Sequence, residues 1–355
     1  MRFAPLTASY GGCMACFLRS RRPRASKQIT LCALCGSNYS PDNWSKCDVN
    51  HTPVLLEESL EALVIDPVEI YVDGTFGRGG HARALLARLG AAGSLLGLDR
   101  DPQAVAAGAS LARCDPRFAM EHAPISRLQD VARRRGLCGR VSGLLLDLGV
   151  SSPQLDDPDR GFSFTADGPL DMRMDPGGGQ TAAQWLAQAG EEEIIRVLRD
   201  YGEERYARRI ARTIVQARNE QPIVTTYALQ QIVAAAAPHR EPGRHPATRT
   251  FQAIRIHINR ELEELRTCLA GVCGLLATGG RLVVISFHSL EDRIVKHFIR
   301  NEARGDRFPR RVPVTAAEAS ARLRPIGKPV RPSSAEVAAN PRARSALMRA
   351  AERLA

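Results

Sequence analysis

Residues Ile70-Tyr-Val-Asp-Gly-Thr-Phe-Gly-Arg-Gly-Gly-His81 form a short apolar run that breaks into glycines at 74, 77, 79 and 80. A helical pattern follows from Ala82 to Leu89, so the stretch reads as strand, turn, helix. Glycines there let the backbone take positive φ and let a ligand approach the main chain, while the helix offers free N–H groups at its positive end. Such a turn suits a nucleotide-like cofactor. Gly77-Arg-Gly-Gly-His-Ala82 also fits the dinucleotide fingerprint, and a glycine turn in an α/β protein can be purely structural.

Working outward, Gly93-Ser-Leu-Leu-Gly-Leu-Asp99 is a second buried strand that ends in an acid about twenty residues past the turn, where ribose hydroxyls would lie. Asp99 is the candidate ribose ligand; the alternative is that Asp99 or Asp101 caps the helix from Pro102. Phe118 to Ala123 is a weaker third strand, and Gly143-Leu-Leu-Leu-Asp-Leu-Gly149 a fourth, apolar on both faces as a central parallel strand should be. Repeated β-α steps predict a doubly wound sheet. Ligands of such sheets sit beyond the carboxyl ends of the strands, which places Asp147, Ser151, Ser152, Pro153 and Gln154 opposite the glycine turn.

Upstream, His51 to Leu63 reads as a short entry helix. Downstream, from Arg160 to about His245, amphipathic patterns over Trp185–Leu198 and Glu203–Arg218 predict a helical insertion. Arg205, Arg208, Arg209, Arg212 and Arg218 either line a phosphate backbone or solvate an exposed face. Apolar residues at 251, 254, 258, 262, 265 and 269 predict one helix with one buried stripe, stopping near Gly279-Gly280. Arg281 to Phe287 is a fifth strand, and Ser289 with Asp292 gives a capping signature for the helix after it. Past residue 303, Pro- and Arg-rich segments with little periodicity predict a loose basic tail.

The 355 residues are 44% hydrophobic and 25% charged, enough for a full core, and the net charge is +11. The first acidic residue is Asp42, and from Arg300 onward thirteen Lys/Arg face five Asp/Glu. That balance suits a polyanionic partner such as RNA, or a solvated basic surface. No apolar run approaches the ~18 residues of a membrane span. Of nine cysteines, Cys13, Cys16, Cys32 and Cys35 have the C-x2-C-x15-C-x2-C spacing of a zinc site, but without the knuckle glycines that aim four thiolates at one ion. The arm is therefore read as a disordered, transit-like or non-native extension, and no metal is assigned.

There is no Ser/His/Asp arrangement and no zinc-protease or deaminase spacing, which argues against hydrolysis. Cofactor chemistry remains. A nicotinamide dehydrogenase would use the same turn and acid; a methyltransferase needs only to align an acceptor and take its proton. A basic RNA-binding protein with a degenerate cofactor site is the third reading.

Asp73-Gly-Thr-Phe-Gly-Arg-Gly-Gly-His81, Leu98-Asp-Arg-Asp-Pro-Gln103, Leu145 to Asp156 and Arg160-Gly-Phe-Ser-Phe164 resemble the bacterial 16S rRNA (cytosine-N4) methyltransferase family, MraW or RsmH. Gly168 to Asp175, Tyr201 to Arg205, His245 to Gln252, Ser286 to Lys296 and Asn340 to Ser345 agree, covering the chain from about His51 onward. The resemblance implies an α/β class I methyltransferase sheet (51–155 and 246–303) with an all-helical substrate-recognition insertion (156–245) between the fourth and fifth strands. It also implies an extension (1–50) and a basic tail (304–355). The implied chemistry is S-adenosylmethionine-dependent methylation of one cytidine at the P site of the small ribosomal subunit, in the cytoplasm, with 16S rRNA as partner and no membrane. A homodimer is compatible with it.

Carried over residue by residue, the cofactor would be held by Gly79, Gly80, His81, Asp99, Ile125, Asp147 and Gln154. Ile125 stands where the family often has an aromatic and would substitute apolar contact for stacking. Asp147 with Ser151, Ser152 and Pro153 is the candidate catalytic group, and Phe162 and Phe164 are the nearest aromatics for stacking an extruded base, or else core residues.

Overall fold

The computed structural model describes residues 30–31, 38–39, 53–237, 245–305 and 321–355. The chain divides into two units, Met1–Cys47 and Asp48–Ala355. In the first, β1 (Thr30–Leu31) pairs antiparallel with β2 (Asn38–Tyr39). The four cysteines of the zinc-like spacing lie outside the described residues.

The second unit opens with α1 (Leu56–Leu63), β3 (Ile70–Asp73), α2 (Gly80–Arg88), β4 (Ser94–Asp99), α3 (Pro102–Cys114), β5 (Phe118–His122), α4 (Leu128–Arg134) and β6 (Val141–Asp147). Helix α3 starts where it does because Asp101 accepts the Gln103 N–H at 2.9 Å and Pro102 fills the first turn. Next come α5 (Ser152–Asp156), α6 (Ala182–Gln188), α7 (Glu191–Gly202), α8 (Ala207–Glu220), α9 (Thr226–Ala236), α10 (Thr248–Asn259) and α11 (Glu261–Leu275). The chain ends with β7 (Leu276–Ser286), α12 (Ser289–Arg304), β8 (Leu323–Val330), α13 (Ser334–Ala339) and β9 (Leu347–Arg353).

The sheet runs β5-β4-β3-β6-β7-β9-β8, with β9 antiparallel to both its neighbours and the β5-to-β7 pairs all parallel. This is the class I methyltransferase arrangement that the resemblance implied. One core packs β3, β4, β6 and β7 against α4 and α11 through Val72, Leu98, Leu144, Leu146, Leu269 and Val284. A second core holds Trp185, Ile194, Leu198, Ile210, Ile214, Leu229 and Phe251, from α6 to α10.

Three sequence expectations change. The helix expected over one stripe is two helices, broken at Arg260, which takes φ 52. The stripe is periodic because each half is amphipathic, yet Ile254 and Ile258 join the second core while Leu265 and Leu269 join the first. The start of α10 accordingly packs with the helices of 156–245 through Ala247, Phe251 and Ala253.

The segment read as a loose tail (304–355) supplies two strands and a helix from residue 321 on. Pro325, Gly327 and Pro329 hide β8 from a periodicity search, but an edge strand tolerates prolines because its outward N–H groups join no ladder. Finally, Phe162 is 5% exposed within the second core and Phe164 packs on Phe251 and His245 with ring centroids 4.9 and 4.7 Å apart. Phe162 is core packing, with no face free for a base.

Candidate functional site

Three adjacent strands each end in an acid at the same edge of the sheet: β4 in Asp99, β3 in Asp73 and β6 in Asp147. The glycine turn lies between them. Gly79 takes φ 77, and a Cβ there would come within 2.6 Å of the Phe76 ring; at Gly80 it would come within 2.4 Å of Pro53. Larger residues would push the turn off the strand ends.

Asp99 accepts from the Gly77 N–H at 2.7 Å through one oxygen and from the Asp101 N–H at 2.8 Å through the other. It therefore does not cap α3; Asp101 does, which separates the two readings left open for this pair. Burial raises the Asp99 pKa, against the lowering effect of those two N–H bonds. Ile125 begins a short 3-10 turn after β5 and lies 3.9 Å from where a Gly74 Cβ would stand.

His81, in the first turn of α2, is 6% exposed; its Nε2 lies 3.2 Å from the Val54 carbonyl and its Nδ1 3.6 Å from Asp147 Oδ2. The Asp147 N–H donates to Thr75 Oγ1 at 2.6 Å, and the Thr75 N–H donates to Asp73 Oδ1 at 3.1 Å, so Thr75 ties the two strand ends together. The other oxygens, Asp73 Oδ2 and Asp147 Oδ1, are buried without a hydrogen-bond partner. Burial pushes Asp73 up to about 7. Burial also raises Asp147 well above the usual carboxylate range, with the charges of Asp73 and Glu291 adding to it.

Behind the turn after β6, Ser151 lies 4.0 Å from where a Gly77 Cβ would stand, which brings the Ser151-Ser-Pro153 turn onto the glycine turn. Ser152 is buried in the first turn of α5. The Gln154 amide is turned to the protein: its Oε1 accepts the Ser151 N–H at 2.9 Å and its Nε2 donates to Asp101 Oδ2 at 2.7 Å. Both ends of the amide are engaged in holding the turn.

The same Asp101 oxygen accepts from Arg160 Nη1 at 2.9 Å, while Arg160 Nη2 donates to the carbonyls of Arg173 and Met174 at 3.1 and 2.9 Å. Asn259 then donates to the Met172 carbonyl at 2.7 Å and accepts the Met174 N–H at 2.7 Å. At the end of β7, Glu291 accepts the Phe287 N–H at 2.9 Å. Burial alone would raise Glu291, but His288 and the Arg255 guanidinium hold it below the usual carboxylate range.

Asp73, Arg160, Asn259 and Glu291 were not singled out from sequence. The signal for Asp73 was available: it ends its strand beside the turn, as Asp99 and Asp147 end theirs. Two buried carboxylate oxygens without partners, facing a glycine turn, fit a ligand that carries positive charge.

That raised pKa makes a stability prediction. An acid whose folded-state pKa is about 7 against an ordinary 3.8 favours folding when neutral; the gain is full below about pH 4 and is lost as pH rises to about 7. The urea midpoint of the wild type should therefore fall between about pH 5 and about pH 8 by more than that of Asp73→Asn. Parallel curves for the two proteins would contradict the shift.

A profile of the MraW methylase family matches residues 48–354. Ribosomal RNA small subunit methyltransferase H of Azoarcus sp. is 60% identical over 306 residues, which span 86% of this chain and 97% of that protein. The proteins of the same name from Thiobacillus denitrificans and Thioalkalivibrio sulfidiphilus are 59% and 57% identical over 306 residues, again spanning 86% of this chain and 97% and 98% of theirs. With the class I strand order and the unpartnered carboxylate oxygens at the strand ends already in place, the chain belongs to the MraW methylase family and is a methyltransferase that uses S-adenosylmethionine.

Proposed function

We propose that this enzyme methylates the N4 exocyclic amine of one cytidine at the P site of 16S rRNA in the small ribosomal subunit, by direct in-line transfer. The names of the relatives support the small subunit as substrate. One observation supports the chemistry: Asp147, with a raised pKa and an unpartnered oxygen, stands next to the Ser151-Ser-Pro153 turn and the glycine turn. S-adenosylmethionine supplies a methyl group already activated by its sulfonium.

An amine that gains a methyl must lose a proton, and cytosine N4 is a poor nucleophile whose lone pair is delocalised into the ring. Asp147 accepts that proton; its raised pKa makes it a better base than an exposed carboxylate. Asp99 accepts from ribose hydroxyls, Gly79, Gly80 and His81 form the floor of the cofactor site, and Ile125 gives apolar contact to the base. Gln154 acts by holding the Ser151 turn, and residues 156–245 recognise the RNA. Among the described residues no helix is long and apolar enough to cross a membrane, and the substrate is cytoplasmic.

The test is labelled methyl transfer to unmethylated small-subunit particles, with the product nucleoside identified by mass spectrometry. N4-methylcytidine is expected; a methyl on a ring carbon or the ribose would sink the reading. Asp99→Ala should weaken cofactor binding by about 1.5–3 kcal/mol, through the loss of a charged acceptor and of the Gly77 anchor. Unchanged calorimetric affinity in a folded variant would remove Asp99 from the site. Deleting residues 1–47, which precede the family match, should leave the methylation rate within about twofold of wild type. A larger loss would make the arm a working module.

A further inference from the structure

Two exposed helix faces carry cations that the chemistry above does not use. Arg205, in the turn before α8, and Arg208, Arg209 and Arg212 on it follow i, i+3, i+4, i+7 spacing and are all exposed, opposite the buried Ile210, Ala211 and Ile214. No acidic residue occurs from Arg205 to Asn219, and among the described residues Glu191 approaches the stripe, 3.9 Å from Arg212. Arg218 is not part of the stripe: it donates to the carbonyls of Leu186 and Ala189.

Helix α12 repeats the pattern. Arg293, Lys296, Arg300 and Arg304 follow i, i+3, i+7, i+11 spacing on its exposed face, opposite Val295 and Ile299. The two stripes begin at one residue. Glu203, just ahead of α8, accepts from Ser289 Oγ at 3.0 Å and from Arg293 Nη2 at 3.2 Å at the start of α12. Ser289 is three residues past the end of β7, beside Phe287 and Glu291, so both stripes start at the rim of the acidic strand ends. The acids of α12 are engaged away from its stripe, Glu291 with His288, Asp292 with Arg349 and Glu302 with Arg322, so the two rows of cations that meet at the site keep their charge.

We infer that the α8 and α12 stripes together form the track that grips the phosphate backbone of the RNA on either side of the target nucleotide. This rests on the RNA-methylating reading above. Two variants test it: Arg205→Gln with Arg208→Gln, Arg209→Gln and Arg212→Gln; and Lys296→Gln with Arg300→Gln and Arg304→Gln. Arg293 is left in place because it pairs with Glu203.

The measurement is binding to unmethylated small-subunit particles across a salt series. Each lost phosphate contact lowers the log–log salt slope by about 0.7–0.9, so slopes should fall by about 3 and about 2, with Kd at physiological salt raised at least about tenfold. Affinity for S-adenosylhomocysteine should stay at the wild-type value, which shows that the site is intact. If either variant keeps the wild-type slope, its helix is a solvated surface and the two-helix track is wrong. Loss of slope with wild-type methyl found somewhere other than N4 would uphold the track and overturn the cytidine assignment.

Discussion

Asp147→Asn should lower the single-turnover methylation rate at saturating cofactor by about 10²-fold or more, the usual worth of a positioned general base, while cofactor affinity moves by less than about tenfold. Asparagine keeps the size of the side chain and can still meet His81, whose Nδ1 lies 3.6 Å from the carboxylate, so the fold around β6 should persist. The wild-type rate should also climb with pH as the Asp147–Asp73 pair ionises, with apparent pKa values that belong to the pair, and the Asn variant should lose part of that rise. A variant with weakened cofactor binding and an undiminished saturated rate would make Asp147 a binding residue and place the proton elsewhere.

Arg160→Met should destabilise the protein by about 3–5 kcal/mol, read as a lowered urea midpoint. Arg160 is 8% exposed and Asp101 4%, so methionine would leave a buried carboxylate short of its cation and two carbonyls, of Arg173 and Met174, short of their donor. Asp101→Asn in the same chain should recover part of the loss by removing the stranded charge, although the helix cap persists only in weaker form. If the double variant is as unstable as the two single losses added, Arg160 and Asp101 act independently and the pair does not tie the turn after β6 to the Met172–Met174 segment.

Much of the site was legible because it sits at strand ends, where apolar runs stop abruptly in an acid. Asp99 and Asp147 stand out for that reason, whereas Asp73 closes a strand of only four residues and merges in the sequence with the glycine turn that follows it. Arg160 and Asn259 were not legible: their partners are backbone carbonyls and N–H groups of residues 172–174, and no side-chain spacing announces a bond to main chain. The seven-stranded sheet read as five strands because β8 holds two prolines and a glycine, and β9 contains Arg349, Glu352 and Arg353 amid its alanines. The break at Arg260 escaped because helical periodicity runs through it unchanged, and only the change of core on either side gives it away.

Strand β9 comes last of the described strands in chain order, yet it lies inside the sheet between β7 and β8. It also meets the start of the fold, through Ser59 Oγ against Met348 Sδ at 3.4 Å. During synthesis β7 therefore keeps an open edge, and β8 has no neighbour to pair with, until β9 has been made and has left the ribosome. Nascent chains stalled before β9 emerges should bind a chaperone rather than cofactor.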